Sequence, residues 1–436
     1  MECSRFAPVS NFPTTQPHDS TSQATATAPR LAHLSPKSQS SIILSLAVLA
    51  STVQNLRIFG LRVFAHSRRQ TAAKEADRHI SSVSRTIEAF ADAVDAEICT
   101  FDQWCASREE DMCRAFGGVY SDAESSMGLI VSLLDTEKAV RDKFGPSFDV
   151  LLEIVRDVTP ELVDERKVSV RTRGRSPSAV TATLLDTLFS RAQEHIERGE
   201  AADMFIGGVL MRVFVQAAEP AWSMIGDWLR DGMSFGLWAG DQDSGMLDDE
   251  FFIESSGLGM MGSGLLDPDF WKEGYSLREG LGTAAGKNTA QDERTKAIPA
   301  FLEHVAEPIL GAGKAGGLLR ALGIPLPVSG GQDRWVSFGQ LVGSNEVYWN
   351  SDQTDSAMHR GTEKLFAVSV DTLSRLIYDE LTPRCDAAGI LLTKVLVEEC
   401  DLWHHLLAIE DLYFMRRGDA MSHFTDLVFA KVTSFP

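Results

Sequence analysis

Cysteine, long apolar runs and catalytic signatures are all sparse in this 436-residue sequence. Its six cysteines (Cys3, Cys99, Cys105, Cys113, Cys385 and Cys400) include no CxxC pair. A chain of this length needs no disulfide staples to build a core, so they read as reduced thiols of the cytosol or nucleus. The most apolar stretch, residues 42–50 with a ragged extension to 65, is interrupted by Gln54, Asn55, Arg57 and Arg62. It falls short of the roughly 20 apolar residues that a membrane span requires. A polar segment precedes it, whereas a secretory signal lies nearer the start. Neither a membrane segment nor secretion is expected. GxSxG, HExxH and P-loop signatures are absent, and no pair of carboxylates is singled out by its spacing. The enzyme classes those signatures mark are thereby removed, and no cofactor is implied.

Positive charge is also short. Lys and Arg number 41 against 61 Asp and Glu, a net charge of −20. Residues 1–70 run the other way, with seven Lys/Arg and two Asp/Glu, which leaves 34 basic and 59 acidic groups in the remainder. An acidic body repels phosphate backbones. Nucleic acid is therefore not expected as a partner, while basic or neutral protein surfaces remain open. An apolar share of 44% with 23% charged residues is that of an ordinary globular protein, long enough for two or three domains at roughly 150 residues each.

Five groups of residues hint at chemistry or binding, and each has a plainer reading. Gly257-Leu258-Gly259-Met260-Met261-Gly262 spells GxGxxG. A dinucleotide site needs those glycines between a strand and a helix whose N-terminus receives the pyrophosphate. The next residues, Ser263-Gly264-Leu265-Leu266-Asp267-Pro268, open no long helix, so a Gly-rich loop is the simpler reading. Asp241, Asp243 and Gly245 suggest a calcium loop, but the glycine comes one position early and Phe252 stands where the bidentate Glu belongs. Cys99, Cys105 and Cys113 are spaced by six and eight residues, unsuited to tetrahedral zinc, and the adjacent His404 and His405 project to different faces of a helix. Trp222, Trp228 and Trp403 are interface anchors or core residues; at helical spacing an indole more often faces its own domain.

What is present is helical periodicity. Residues 1–40, rich in Ser, Thr, Pro and Gln, cannot offset their ordering entropy by burial. With the basic patch at Arg68-Arg69, residues 1–70 are expected to form a disordered or poorly ordered tail. Ile80, Val83, Ile87, Phe90, Val94, Ile98, Phe101 and Trp104 then mark one stripe of a long helix, with Glu88, Asp92, Asp95 and Asp102 opposite. Residues 147–158 predict a second helix that Pro160 ends, and residues 164–177 an exposed loop. A helix from about 178 carries Leu184, Leu185, Leu188 and Ile196, and another covers about 201–231, kinked or divided at Pro220. Residues 239–295 read as a long irregular connection with one short helix. Helix returns at 299–322; residues 325–350 are loop with a short extended piece at 335–338. After residue 363 one helix stops at Pro383 and two more come after it. Short-period repeats are absent, and the fold class is all-α.

Three stretches, in order, resemble the gamma-tubulin complex components, the grip-motif proteins of spindle poles and other microtubule-organising centres. Residues 184–253 include EPAWSMIGDWLRDG and the acidic word DDEFFI; residues 270–322 carry FWKEGYSLREG and then IPAFLEHVAEPILGAGKAGGLLRAL. Residues 376–432 carry LIYDELTPRCDAAGILLTKVLVEECDLWHHLLAIEDLYFMRRGDAMSHFTDLV. The resemblance implies a helical-bundle solenoid of the grip type. It places a first grip domain at 71–350 and the beginning of a second at 360–436. It also implies a non-catalytic scaffold subunit, hetero-oligomeric, that associates side by side with other complex components through the first domain. The second domain holds gamma-tubulin, and the assembly templates microtubule nucleation at spindle poles in the cytoplasm and cytoskeleton. The family's second grip domain continues past the segment ending at Pro436, so a truncated gene model or retained intron is expected. The word EAFADAVDAEICTFDQWC leans towards the fifth-type component. The alternative is an unrelated helical tethering scaffold.

Overall fold

The computed structural model describes residues 34–74, 84–117, 133–159, 176–233, 248–256, 268–278, 296–324, 335–343, 369–414, 416 and 418–433. They are almost entirely helical, with one two-stranded antiparallel sheet, so the fold is an all-α helical bundle. The chain divides into two compact units. The first holds residues 1–220 with 283–296 and 342–369; the second holds 221–282, 297–341 and 370–436.

In the first unit, helices α1 (Pro36–Lys74), α2 (Arg85–Gly117), α3 (Leu133–Val158) and α4 (Pro177–Arg198) pack with the start of α5 (Ala201–Asp231). Over the described residues the predicted stripe of α2 is the buried one, while its first members, Ile80 and Val83, lie outside them. Phe90, Val94 and Ile98 face inward and Asp92, Asp95 and Asp102 outward. Phe59 of α1 meets Phe90 at 5.7 Å between ring centroids, and Phe101 stands edge-on to Phe144 and Phe148 at 5.1 and 5.7 Å. Polar seams fix the register. Arg57 of α1 grips both oxygens of Asp102 at 2.7 Å, and Arg212 of α5 reaches Glu97 by two bonds of 2.9 and 3.1 Å. Buried Glu137 accepts from Ser45 and Arg141, which supplies the partners that a buried carboxylate requires. Ser176 caps α4, accepting from the Ala179 N–H at 3.2 Å, and Pro177 occupies the first helical position, where no N–H partner is needed.

Helix α1 corrects the expectation of a disordered tail over residues 36–70, which form part of a continuous helix; residues 1–33 of that expected tail lie outside the described residues. A count of contiguous apolar residues undervalues it: Ser, Thr, Asn and Gly interrupt the run without interrupting the helix. Val53, Leu56, Phe59 and Val63 are buried. By length and composition alone, α1 as far as Arg68 and all of α5 could cross a membrane. In α5 most of that apolar surface is buried inside the protein.

The second unit contains the end of α5, strands β1 (Ile253–Ser255) and β2 (Tyr275–Leu277), and the short α6 (Pro268–Glu273). A 3-10 turn (Ala300–Val305) leads into α7 (Ala306–Ala321), followed by the first residues of α8 (Phe338–Gly343). Then come α9 (Val370–Lys394), a π-turn (Val395–Glu399), α10 (Leu402–Tyr413) and α11 (Gly418–Thr433). The strands pair with Ile253 opposite Leu277; at three residues each they lie below what periodicity detects, and the predicted irregular connection is corrected there. The piece expected to be extended at 335–338 instead leads into α8.

Three prolines lie inside helices, at Pro146, Pro220 and Pro383. Pro383 was expected to stop its helix and does not, and at Pro220, where a kink or a division was expected, the helix is not divided. In each case the residue four positions earlier (Asp142, Gln216, Asp379) is exposed, so water can take up the carbonyl that loses its N–H partner. The buried series Leu373, Ile377, Leu381, Cys385, Ala388 runs through Pro383 without a break. Pro308 is harmless in the first turn of α7, where N–H groups lack intrahelical partners anyway.

At the core of the second unit Trp228 lies on α7. A Cβ at Gly313 would come within 2.1 Å of the Trp228 ring. Gly313→Ala is expected to lower the unfolding free energy by about 2–4 kcal/mol, the scale of overpacking combined with a lost buried hydrogen bond. Chemical denaturation of the two chains measures it; equal midpoints would refute the contact.

Candidate protein-interaction surfaces

Words from the first two stretches that carry the family resemblance converge on one core. Trp228, from DWL, donates through its indole N–H to the Ile309 carbonyl at 2.9 Å. Its ring lies 5.5 Å from Tyr275 and 6.2 Å from Phe251, which belong to YSL and DDEFFI. Gly313, in the word GAGK, leaves the space it fills. Gly232 turns the chain at the end of α5 with φ +62°, and its α-carbon faces Gly317 so closely that a Cβ would sit 2.6 Å from the Gly317 nitrogen. Met233 then donates to the Gly313 carbonyl at 3.0 Å. Lys314 projects the other way, donating to the carbonyls of Trp271 and Lys272 at 3.4 and 3.1 Å. A cation there complements the carbonyl end of α6, and burial pushes the Lys314 ammonium below its ordinary pKa.

A second indole is locked similarly. Trp222 donates to the Val336 carbonyl at 2.8 Å, and its ring lies 5.0 Å from that of Trp335, tilted by 33°. The Arg384 guanidinium lies 5.2 Å over the Trp335 ring, a cation–π contact. Trp222 and Trp228 are therefore core residues. Trp403 is not: it is 64% exposed on α10.

Nothing catalytic assembles among the described residues. The glycines of residues 257–262 and the acidic residues Asp241 and Asp243 lie outside them. Cys99 and Cys113 are exposed on α2 with Cys105 half-buried between them, and no described group of three His, Cys, Asp or Glu is placed to hold a metal. His404 and His405 are both exposed, their rings 6.4 Å apart and steeply inclined.

What the described surface offers is apolar area. After α9 the π-turn closes with the Cys400 N–H on the Val395 carbonyl at 3.1 Å, and Asp401 takes left-handed backbone angles (φ 48°, ψ 42°). Such conformations are costly for a non-glycine residue and persist where the surroundings impose them. Beside this turn an open depression of about 580 Å³ is lined by Leu322, Ile324, Leu391 and Val395 with Lys394 and Glu398 at its edge. Beyond it α10 and α11 expose Trp403, Leu407, Tyr413, Phe424 and Phe429, with Tyr413 at 79% and Phe429 at 63%. Large apolar groups left exposed in number point to an interaction site, and a protruding Trp or Tyr is a typical anchor. Sequence spacing alone missed this, because periodicity does not tell whether a side of a helix is covered.

Burial and the nearby Asp386 push the Cys385 thiol up to about 11. Its thiolate fraction near pH 8 is then about a hundredfold below that of an ordinary thiol. Iodoacetamide is expected to label Cys99, Cys113 and Cys400, all exposed, well before Cys385, as peptide mass mapping over time would show.

The fold and the words that build its core have a counterpart among protein families. No curated protein matches the chain significantly. The family model described as gamma tubulin complex component N-terminal matches residues 8–382, a span that holds both indole cores, the β1–β2 pair and α7. The chain belongs to the gamma-tubulin complex component family.

Proposed function

We propose that the chain is a non-catalytic scaffold subunit of the gamma-tubulin complex, supporting microtubule nucleation at spindle poles and other microtubule-organising centres. The family match over residues 8–382 carries this reading. In it, residues 71–350 form the first grip domain and associate laterally with other complex components. Residues 360–436 begin the second grip domain and contribute to holding gamma-tubulin. The exposed indole and phenyl groups of α10 and α11 support the second assignment, since aromatic anchors dominate protein interfaces. A lateral contact of ordinary size, about 1,600 Å², spans micromolar to picomolar affinity according to its anchors. Repeated contacts in a ring act together through effective concentration, so no single one need be tight. The second reading, a helical tethering scaffold on membranes, predicts membrane puncta in cells where this one predicts spindle-pole foci.

Co-precipitation from cell extract tests the proposal. The tagged chain is expected to recover gamma-tubulin and other complex components; recovery of neither would refute it. Trp403→Ala is expected to weaken capture of gamma-tubulin by about tenfold, the loss typical of an aromatic anchor. The thermal midpoint should stay unchanged, because Trp403 is mostly exposed.

A further inference from the structure

Helix α9 is firmly seated and the helices after it are not. Leu373, Ile377, Leu381, Cys385 and Ala388 are buried along one side of α9, and Val395 continues them into the π-turn. No described residue of α10 or α11 is buried. What sets the direction of α10 is therefore the backbone of residues 395–401. The Cys400 N–H reaches back to the Val395 carbonyl at 3.1 Å, and the His405 N–H to the Asp401 carbonyl at 3.2 Å. Between these bonds Asp401 is exposed, holds its left-handed angles and makes no side-chain capping bond. Left-handed angles strain any residue but glycine, and here backbone bonds rather than packing hold them.

The sequence carries a straight alternative. A step of seven residues, two helical turns, leads from Val395 to Leu402, and Leu406, Ile409 and Tyr413 follow at steps of four, three and four. The buried residues of α9 recur at the same steps of three and four. In one continuous helix all of them would lie along a single side, interrupted at Glu399. The turn at Asp401 breaks that line. Neither Gly nor Pro occurs between Gly389 and Tyr413, so no helix breaker stands in the way.

We propose that residues 395–401 are a two-state joint: bent, as in the structure, or straightened into one helix over 370–413. Straightening converts the π-turn to α-helix and moves Asp401 from left- to right-handed angles, which releases its strain. It also brings Leu402, Leu406, Ile409 and Tyr413 into line with the buried side of α9. Single π-turns within helices are frequent at functional sites. The joint decides where the exposed side chains of α10 and α11 stand, so a partner that binds one form better selects it. This goes beyond the proposed function, and its test needs no partner.

Spin labels introduced through noncanonical amino acids at Ala387 and Ala408, both exposed, report the joint in the full chain by pulsed electron paramagnetic resonance. The straight form places the two positions about 32 Å apart, at 1.5 Å per residue; the bent form gives a shorter distance. Both distances are expected in the parent. Asp401→Gly, at ease in the left-handed region, should favour the shorter one. Asp401→Ala, costly there and a strong helix former, should favour the longer, so that the two variants differ about tenfold in their ratio. Asp401 is exposed, and thermal midpoints close to the parent's confirm that both variants fold. A single distance, the same in the parent and both variants, would overturn the joint. So would two distances whose ratio neither substitution moves, which would place the motion at another residue.

Discussion

The indole of Trp228 rests directly on the backbone of α7, with no side chain at Gly313 to hold the two apart, and the second unit is arranged around that contact. The hydrogen bond to Ile309 fixes the ring's depth, and Phe251 and Tyr275 close over it from the two strands. The turn at Gly232 then returns Met233 to the same helix. A buried Trp stabilises by several kcal/mol through its area and its satisfied N–H, but only if every neighbour leaves its space. Four separate segments of sequence therefore have to agree on one ring. This is why short words spread over about 90 residues reappear together: they are the parts of one packing solution.

The first unit is held by different means. Its core is an aromatic row between α1, α2 and α3, and its helices are keyed by ion pairs with two bonds each. Arg212 with Glu97 and Arg57 with Asp102 use the fork geometry that gives guanidinium–carboxylate pairs their directionality. Such pairs add little stability when exposed. Their value is in register, since a helix sliding by one turn would lose both bonds. A unit so keyed resists the sliding of one helix along the next.

Much of this was legible in the sequence, for identifiable reasons. The stripes of α2, α4 and α5 follow a 3.6 period because one face of each is buried and the other is wet. The grip words were legible because their residues are constrained jointly. Helix α1 was hidden, since its apolar run is broken by small polar residues that a helix tolerates. The strands β1 and β2 were too short to show alternation. Trp403 illustrates the deepest ambiguity: periodicity says that a residue shares a side with its neighbours, never whether that side meets protein or water. Residues 257–262, the most enzyme-like word in the chain, lie outside the described residues.

The interior prolines have one further consequence. Each frees the carbonyl of an exposed residue, so the lost hydrogen bond is made up by water. The same proline one side over would leave that carbonyl unpaired against apolar side chains. The wet side is where a helix tolerates the residue usually counted as its breaker.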